Sequence, residues 1–199
     1  ILVSGRSLTY TKKIARIIDS DNYIISNNGA LSYDNKNKKI IYVSYISKDD
    51  ILKINSLCNH ETEILYQLLD KDVNVLNEED YDKVIQVVIT TRNKKLLLDI
   101  MDKINNIDGI KVTNKHRSFY VPGYTSSNPV YIDISNSCVD KKEAIKHTLK
   151  YINLESKDSI RFGDGINDIE MFESDSFNVA VDNAIPEVKE RANMITTAY

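Results

Sequence analysis

The chain has 199 residues, with 26 basic and 29 acidic side chains and a formal net charge of −3 at pH 7. Hydrophobic residues make up 42% of the sequence, which suffices for a folded core and excludes a disordered acidic chain. This composition lacks the dense basic face that nucleic-acid binding requires, so we expect no nucleic-acid partner.

No stretch of the sequence reaches the roughly 18 to 20 consecutive apolar residues that cross a bilayer, and the first ten residues lack the pattern of a signal peptide. The two cysteines, Cys58 and Cys138, are far apart in the sequence and show no CxxC spacing. We therefore expect a cytoplasmic protein with free thiols and no membrane partner. The pattern specifies no oligomeric state.

The first 43 residues alternate between strand and helix patterns. Ser4-Gly5 ends the first apolar run, and apolar residues then recur at helical spacing as far as Ile18. Asn28-Gly29 predicts a tight turn, because both residues tolerate a positive φ. The predicted strands of this region are Ile1–Val3, Tyr23–Ile25, Leu31–Tyr33 and Ile40–Val43.

The pattern changes between about residues 44 and 128, where helices and strands mix as in an α+β unit. The predicted helices are 51–57 and 94–104, and the predicted strands are 64–66, 84–90, 110–113 and 119–121. Polar, loop-like edges flank this segment, and residues 124–129 resemble a return linker. We interpret residues 44–128 as a unit inserted into a domain formed by residues 1–43 and 129–199.

The last 71 residues alternate strands with helices, which predicts right-handed crossovers and a parallel sheet covered on both faces. Asp140 is a good N-cap with Glu143 three residues on, and Pro186 suits the first turn of a helix. A further helix is predicted from Asp168. The predicted strands are Tyr131–Ile134, Ile160–Phe162 and Phe177–Val181, with another that begins at Met194. The predicted fold class is therefore α/β.

Polar residues follow several of these strands, at the sheet edge where parallel α/β folds bind ligands. They are Ser4-Gly5, Asn28-Gly29 and the segment Gly163–Asp168, and Lys141 lies at a predicted helix start. A turn, a helix cap or a solvated lysine would account for each one alone. The two carboxylates of GDGIND repel each other unless a cation or a donor lies between them. Together these groups suit a phosphate with a divalent metal.

Five segments in the same order resemble the Cof-type hydrolases of the haloacid dehalogenase superfamily. They are VSGR at 3–6, NNGA at 27–30, VDKKEAI at 139–145, FGDGINDIEMF at 162–172 and VAVDNAIPEVKERA at 179–192. The resemblance implies a Rossmann-like core with an inserted α+β cap of the C2B kind. It also implies hydrolysis of the phosphate ester of a small phosphorylated metabolite, with Mg²⁺ as the cofactor.

The resemblance also implies roles for individual residues. It assigns catalytic roles to Ser4, Lys141 and Asp168, substrate contacts to Ser4, Gly5, Asn28, Lys141 and Asn167, and metal binding to Asp164 and Asn167. Lys141 would offset the negative charge of the phosphate and of the attacking carboxylate.

One family motif, Asp-x-Asp-Gly-Thr, supplies the aspartate nucleophile and does not occur in these 199 residues. We expect the complete protein to form an aspartyl-phosphate intermediate. We expect its first strand and nucleophile loop to lie outside the given sequence. The chain as given is therefore expected to be inactive. Two alternatives stay open: a non-catalytic phosphate-binding or regulatory relic, and a phosphomutase-like member of the same superfamily.

Overall fold

The computed structural model describes residues 1–113, 117–118 and 129–197, which form two compact units. The first unit comprises Ile1–Arg6, Thr11–Tyr42 and Asp140–Tyr199, and the second comprises Ser7–Tyr10 and Val43–Val139. None of the helices in the described ranges is long and apolar enough to span a bilayer.

Thirteen strands and six α-helices are found in the described part of the chain. The strands are β1 (Leu2–Val3), β2 (Tyr23–Ser26), β3 (Leu31–Asp34), β4 (Lys39–Val43), β5 (Thr62–Gln67), β6 (Asp72–Val73), β7 (Gln86–Thr91), β8 (Ile110–Val112), β9 (Arg117–Ser118), β10 (Val130–Asn136), β11 (Ile160–Gly163), β12 (Phe177–Ala180) and β13 (Met194–Ile195). The helices are α1 (Leu8–Ile17), α2 (Lys48–Leu57), α3 (Lys94–Ile104), α4 (Lys141–Tyr151), α5 (Ile169–Phe172) and α6 (Pro186–Lys189).

The first unit contains two sheets. In one, β1 pairs with β2 in parallel, and β2 continues into the antiparallel strands β3 and β4. In the other, β11, β12 and β13 are all parallel. The predicted strands and hairpin of this unit are confirmed. Among the described residues, however, β1 and β11 each pair on one side only.

Helices α4, α5 and α6 contribute to the apolar core of the first unit. Its buried members are Ile25, Ala144, Ile145, Leu149, Met171, Phe172, Ala180, Ala184 and Val188. The expectation that the parallel sheet is covered on both faces is wrong for the described residues. Alternate side chains of β11, Ile160 and Phe162, are exposed, as is Phe177 beside Ile160 on β12.

The second unit is built on one largely antiparallel sheet in the order β6-β5-β7-β10-β8, with β9 also paired to β10. Its core contains residues of α2 and α3, and both helices begin at a capping side chain. Ser47 accepts a hydrogen bond from the Asp50 amide, and Asn93 accepts one from the Leu96 amide. The buried core comprises Ile46, Ile51, Ile54, Tyr66, Leu68, Val84, Val87, Ile89, Leu97, Ile100, Ile104, Ile110, Val112, Ile132 and Ile134.

The boundary between the units differs from the predicted one. Tyr131–Ile134 does form a strand, within β10, but β10 pairs with β7 and β8 of the second unit. Ile132 and Ile134 point into that unit's core. The return to the first unit therefore lies at Asp140 rather than at residue 129. The predicted strand at 119–121 and residues 124–128 of the predicted linker lie outside the described residues.

Candidate active site

The loop that follows β1 is held by backbone hydrogen bonds to β2 and to the turn after it. The Ser4 amide donates to the Ile25 carbonyl at 2.9 Å, and the Asn28 amide donates to the Ser4 carbonyl at 3.2 Å. The Ser4 hydroxyl oxygen accepts from the Arg6 amide at 3.1 Å. Because that bond uses only the oxygen, the hydroxyl proton of Ser4 can be donated to an anion.

The turn after β2 has an unusual backbone conformation. Asn27, Asn28 and Gly29 have φ values of 53°, 56° and 101°, three consecutive left-handed residues. The sequence predicts this conformation for the last two, whereas the conformation of Asn27 was missed.

Both neighbouring glycines are required by the closeness of these loops. A Cβ on Gly5 would lie 2.6 Å from Oδ1 of Asn28, and a Cβ on Gly29 would lie 2.7 Å from the Asp140 carbonyl oxygen. The loop after β1, the turn after β2 and the start of α4 therefore pack directly against one another.

Lys141 lies at the start of α4, where the predicted cap is confirmed. The Asp140 carboxylate accepts from the amides of Lys142 and Glu143 at 2.6 and 3.3 Å. The side chain of Lys141 is only 3% exposed, and its Nζ lies 2.8 Å from Oδ1 of Asp168. The amine is thus held away from bulk water, beside a carboxylate.

Asp168 uses both of its carboxylate oxygens. Oδ1 binds Lys141, while Oδ2 accepts from the amides of Asp164 and Gly165 at 3.0 and 3.1 Å. Burial alone raises the pKa of Asp168, but the charge and hydrogen bond of Lys141 and the two amides outweigh it and hold that pKa below its ordinary value. Asp168 therefore stays ionised and joins α4 to the loop after β11.

Asp164 differs from Asp168 in that its carboxylate is exposed and makes no hydrogen bond or ion pair within residues 1–113, 117–118 and 129–197. Its backbone is fixed, because its amide donates to Asp168 and its carbonyl accepts from the Ile185 amide at 3.0 Å. Asn167 lies three residues on, in the short 3₁₀ turn Ile166–Asp168.

A free carboxylate on a rigid loop suits Mg²⁺, which is often held by one or two carboxylates together with water and substrate phosphate. Asp164 offers one such ligand, and the Asn167 amide oxygen offers another donor of the same hard type. No three His, Cys, Asp or Glu side chains gather into a metal cluster within the described ranges. The residues present therefore fit a shared magnesium–phosphate site and not a closed protein cage.

The structure thus brings most of the predicted site residues together. A continuous series of contacts runs from Ser4 and Gly5 through Asn28 and Gly29 to the start of α4, and from Lys141 through Asp168 to Asp164. Asn167 is placed beside this series by its position in the chain.

Arg161 supports the site, a role that the sequence did not predict. Its buried guanidinium donates to the Met171 carbonyl at the end of α5 and to the hydroxyls of Ser156 and Ser159. Burial lowers the pKa of Arg161. The side chain links β11 to α5. The sequence feature that could have indicated this role is an arginine within an otherwise apolar strand.

Comparison with known proteins gives consistent matches over the whole chain. A family model described as haloacid dehalogenase-like hydrolase matches residues 1–199. The chain is 28% identical over 222 residues to "Putative phosphatase MG265" of Mycoplasma genitalium, covering 97% of this chain and 78% of that protein.

Two solved structures show the same fold. A haloacid dehalogenase-like hydrolase from Bacteroides thetaiotaomicron has a TM-score of 0.78 at 21% identity, covering 98% of this chain and 80% of its own. The sugar phosphatase BT4131, of subclass IIB, has a TM-score of 0.68 at 18% identity, with the same two coverages. These matches confirm the predicted α/β fold, a Rossmann-like core with an inserted α+β unit.

Proposed function

Because the chain belongs to the haloacid dehalogenase-like hydrolase family, we propose that the protein is a magnesium-dependent phosphatase acting on small phosphorylated metabolites of the sugar-phosphate type. The sequence resemblance to Cof-type members is confirmed. The observation that carries the proposal is the Lys141–Asp168 pair, which lies within a set of glycine loops and is joined through Asp168 to the Asp164 loop.

In this proposal the loop after β1 and the start of α4 bind the phosphoryl group. Ser4 donates its hydroxyl proton to one phosphoryl oxygen, and the Gly5 amide donates beside it. Lys141 offsets the charge that the phosphoryl oxygens carry in the transition state. Asn28, whose side chain lies against Gly5, contacts the substrate next to the phosphate.

Asp164 and Asn167 would hold Mg²⁺, which when bound supplies positive charge to the phosphoryl oxygens. Asp168 has a different part, because both of its oxygens are already used. It orients the Lys141 amine and the Asp164 backbone, so that the amine and the Asp164 loop both face the phosphoryl group of the substrate.

The nucleophile of the proposed reaction is an aspartate supplied from outside residues 1–199. Its carboxylate attacks phosphorus as the P–O ester bond breaks, and the leaving oxygen takes up a proton and departs as the alcohol. Water then attacks the aspartyl phosphate, which releases inorganic phosphate and regenerates the carboxylate. Two observations support this: the absence of Asp-x-Asp-Gly-Thr from the chain, and the unpaired edges of β1 and β11 among the described residues. A strand that pairs in parallel with the free edge of β1 would end beside Ser4, and one that pairs so with β11 would end beside Asp164. Residues 1–199 alone are then expected to be inactive.

The second unit is proposed to serve as the cap that selects the organic part of the substrate. The proposal rests on the place of its main segment, Val43–Val139, in the chain between the Asn28 turn and the Lys141 helix.

The test is a phosphate-release assay of the complete gene product with a panel of sugar phosphates and an aryl phosphate, with and without Mg²⁺. We expect magnesium-dependent turnover that Asp164→Ala abolishes. Asp175→Ala, which removes another exposed aspartate from the same unit, should leave turnover within about twofold of the wild type. Turnover that is unaffected by Asp164→Ala would overturn the proposal.

The same assay separates the alternatives. Binding of inorganic phosphate without turnover of any ester would favour the non-catalytic relic. An isomerised phosphate ester in place of free phosphate, detected by ³¹P NMR, would favour the phosphomutase.

A further inference from the structure

Ser7 follows the loop that carries Ser4 and Gly5, and it is a residue of the second unit. It is almost fully buried and directly precedes α1, three residues after Ser4. Its hydroxyl oxygen accepts from the Tyr10 amide at 3.4 Å, as a helix-capping side chain does, and the same hydroxyl donates to Oδ2 of Asp72 at 3.1 Å. One side chain therefore both starts a helix and binds a carboxylate 65 positions away.

Asp72 is well placed to hold Ser7. It lies on the edge strand β6 and pairs with Gln67 of β5. The next residue, Val73, packs against the core of the second unit, so Asp72 projects from the opposite face of the sheet. The neighbouring Lys71 binds Asp80.

The loop between Ser4 and Ser7 is fixed at both ends by different means. Backbone hydrogen bonds hold the first part, including one from the Asn27 amide to the Arg6 carbonyl at 2.9 Å. The Ser7–Asp72 bond contributes to holding the last part, and because its acceptor is charged it is among the stronger kinds of hydrogen bond. A small movement of Ser7 would be passed along three residues to Ser4 and Gly5.

We propose that Asp72 is a positioning residue, which acts through the Ser7 hydroxyl to fix the loop that presents Ser4 and Gly5 to the phosphoryl group. This inference rests on the proposed function. It assigns Asp72 no contact with the substrate.

The first experiment measures the affinity of the full chain for inorganic phosphate by calorimetry. Asp72→Ala and Ser7→Ala should each weaken binding about fivefold to tenfold, and the double variant should bind no more weakly than Ser7→Ala alone, because Ser7→Ala already removes the bond that Asp72→Ala breaks. Asp72→Asn, which keeps an oxygen that accepts from a hydroxyl, should stay within about twofold of the wild type. The matched control is Asp70→Ala, an exposed aspartate two residues away, which should leave affinity unchanged.

The second experiment measures amide hydrogen exchange of the same variants and does not depend on phosphate binding. Residues 4–10 should exchange faster in Asp72→Ala and in Ser7→Ala, and should exchange at the wild-type rate in Asp72→Asn and Asp70→Ala. If the wild type fails to bind phosphate, the proposed function fails, and exchange alone decides whether Asp72 fixes the loop. Additive effects of the two single variants, or unchanged exchange in Asp72→Ala, would overturn the inference.

Discussion

The two units hold their lysine–aspartate pairs in different surroundings. In the first unit, Lys141 and Asp168 have side-chain exposures of only 3% and 13%. In the second, Asp80 is buried at 6% exposure, but its partner Lys71 is 42% exposed. Desolvating two charges costs more than desolvating one, and the attraction between them often does no more than offset that cost. The comparison shows that the first unit keeps an energetically costly buried pair where three loops meet, as expected of a site, whereas the Lys71–Asp80 pair of the second unit leaves its lysine in solvent.

The largest expected effect comes from breaking the buried pair. Lys141→Ala leaves the Asp168 carboxylate desolvated without its cation, and should lower the free energy of unfolding by about 3 kcal/mol. Urea unfolding followed by circular dichroism measures this change.

Two variants sharpen the contrast for the ion pairs. Lys71→Ala should cost less than about 1 kcal/mol, because its amine is largely solvated and Asp80 keeps Lys83 at 3.6 Å. Lys142→Ala, adjacent to the buried lysine in sequence, should change stability by no more than about 0.5 kcal/mol. Equal losses for Lys141→Ala and Lys71→Ala would remove the distinction between the two units.

The next effect compares one glycine in each unit. Gly29 and Gly109 both have a positive φ, of 101° and 93°. A Cβ on Gly29 meets the backbone of Asp140 and Lys141 at the start of α4, but a Cβ on Gly109 meets only the side-chain carboxyl of Asp50, at 3.0 Å from its oxygen. Gly29→Ala should therefore lower the free energy of unfolding by about 2 to 3 kcal/mol, and Gly109→Ala by about 1 kcal/mol. Thermal unfolding of both variants tests this order, and a larger loss for Gly109→Ala would contradict it.

The smallest effect is a dependence on pH. The pKa of folded Asp168 lies below its ordinary value of about 3.9, so its contribution to stability is fully present above that ordinary value and is lost as the pH falls through the folded pKa. Asp168→Asn should therefore be less stable than the wild type at neutral pH, and the difference should narrow below about pH 4. Urea unfolding at several pH values measures the gap. Asp80 of the second unit also has a lowered pKa. The matched variant Asp80→Asn therefore shows how much of the pH dependence of stability comes from the second unit.

Much of this protein could be predicted from local patterns. The helix at 94–104, the hairpin of β3 and β4, and the cap at Asp140 depend on neighbours in the sequence, which is why periodicity and turn residues indicated them. The order of the motifs in the chain indicated the family, because five segments with specific spacing rarely coincide by chance.

Other features depend on partners that are distant in the sequence. The pattern of β10 predicts a strand but does not specify which sheet it joins, so the boundary predicted at residue 129 was wrong. The residue patterns of β1 and β11 predict strands, but they did not predict that these strands lie in two separate sheets, each with an unpaired edge among the described residues. In each case the alternation of side chains is satisfied by more than one partner, and only the pairing in space selects one.

The sequence by itself determined the helices, most strands, the family and the identity of the polar residues at the strand ends, because these depend on short-range patterns and on residue type. The tertiary structure decided that Asp168 binds Lys141 while the carboxylate of Asp164 stays available, and that Ser7 reaches Asp72. The two aspartates of GDGIND look alike in the sequence. They differ in their partners and exposure, which are set when segments more than 20 residues apart pack together.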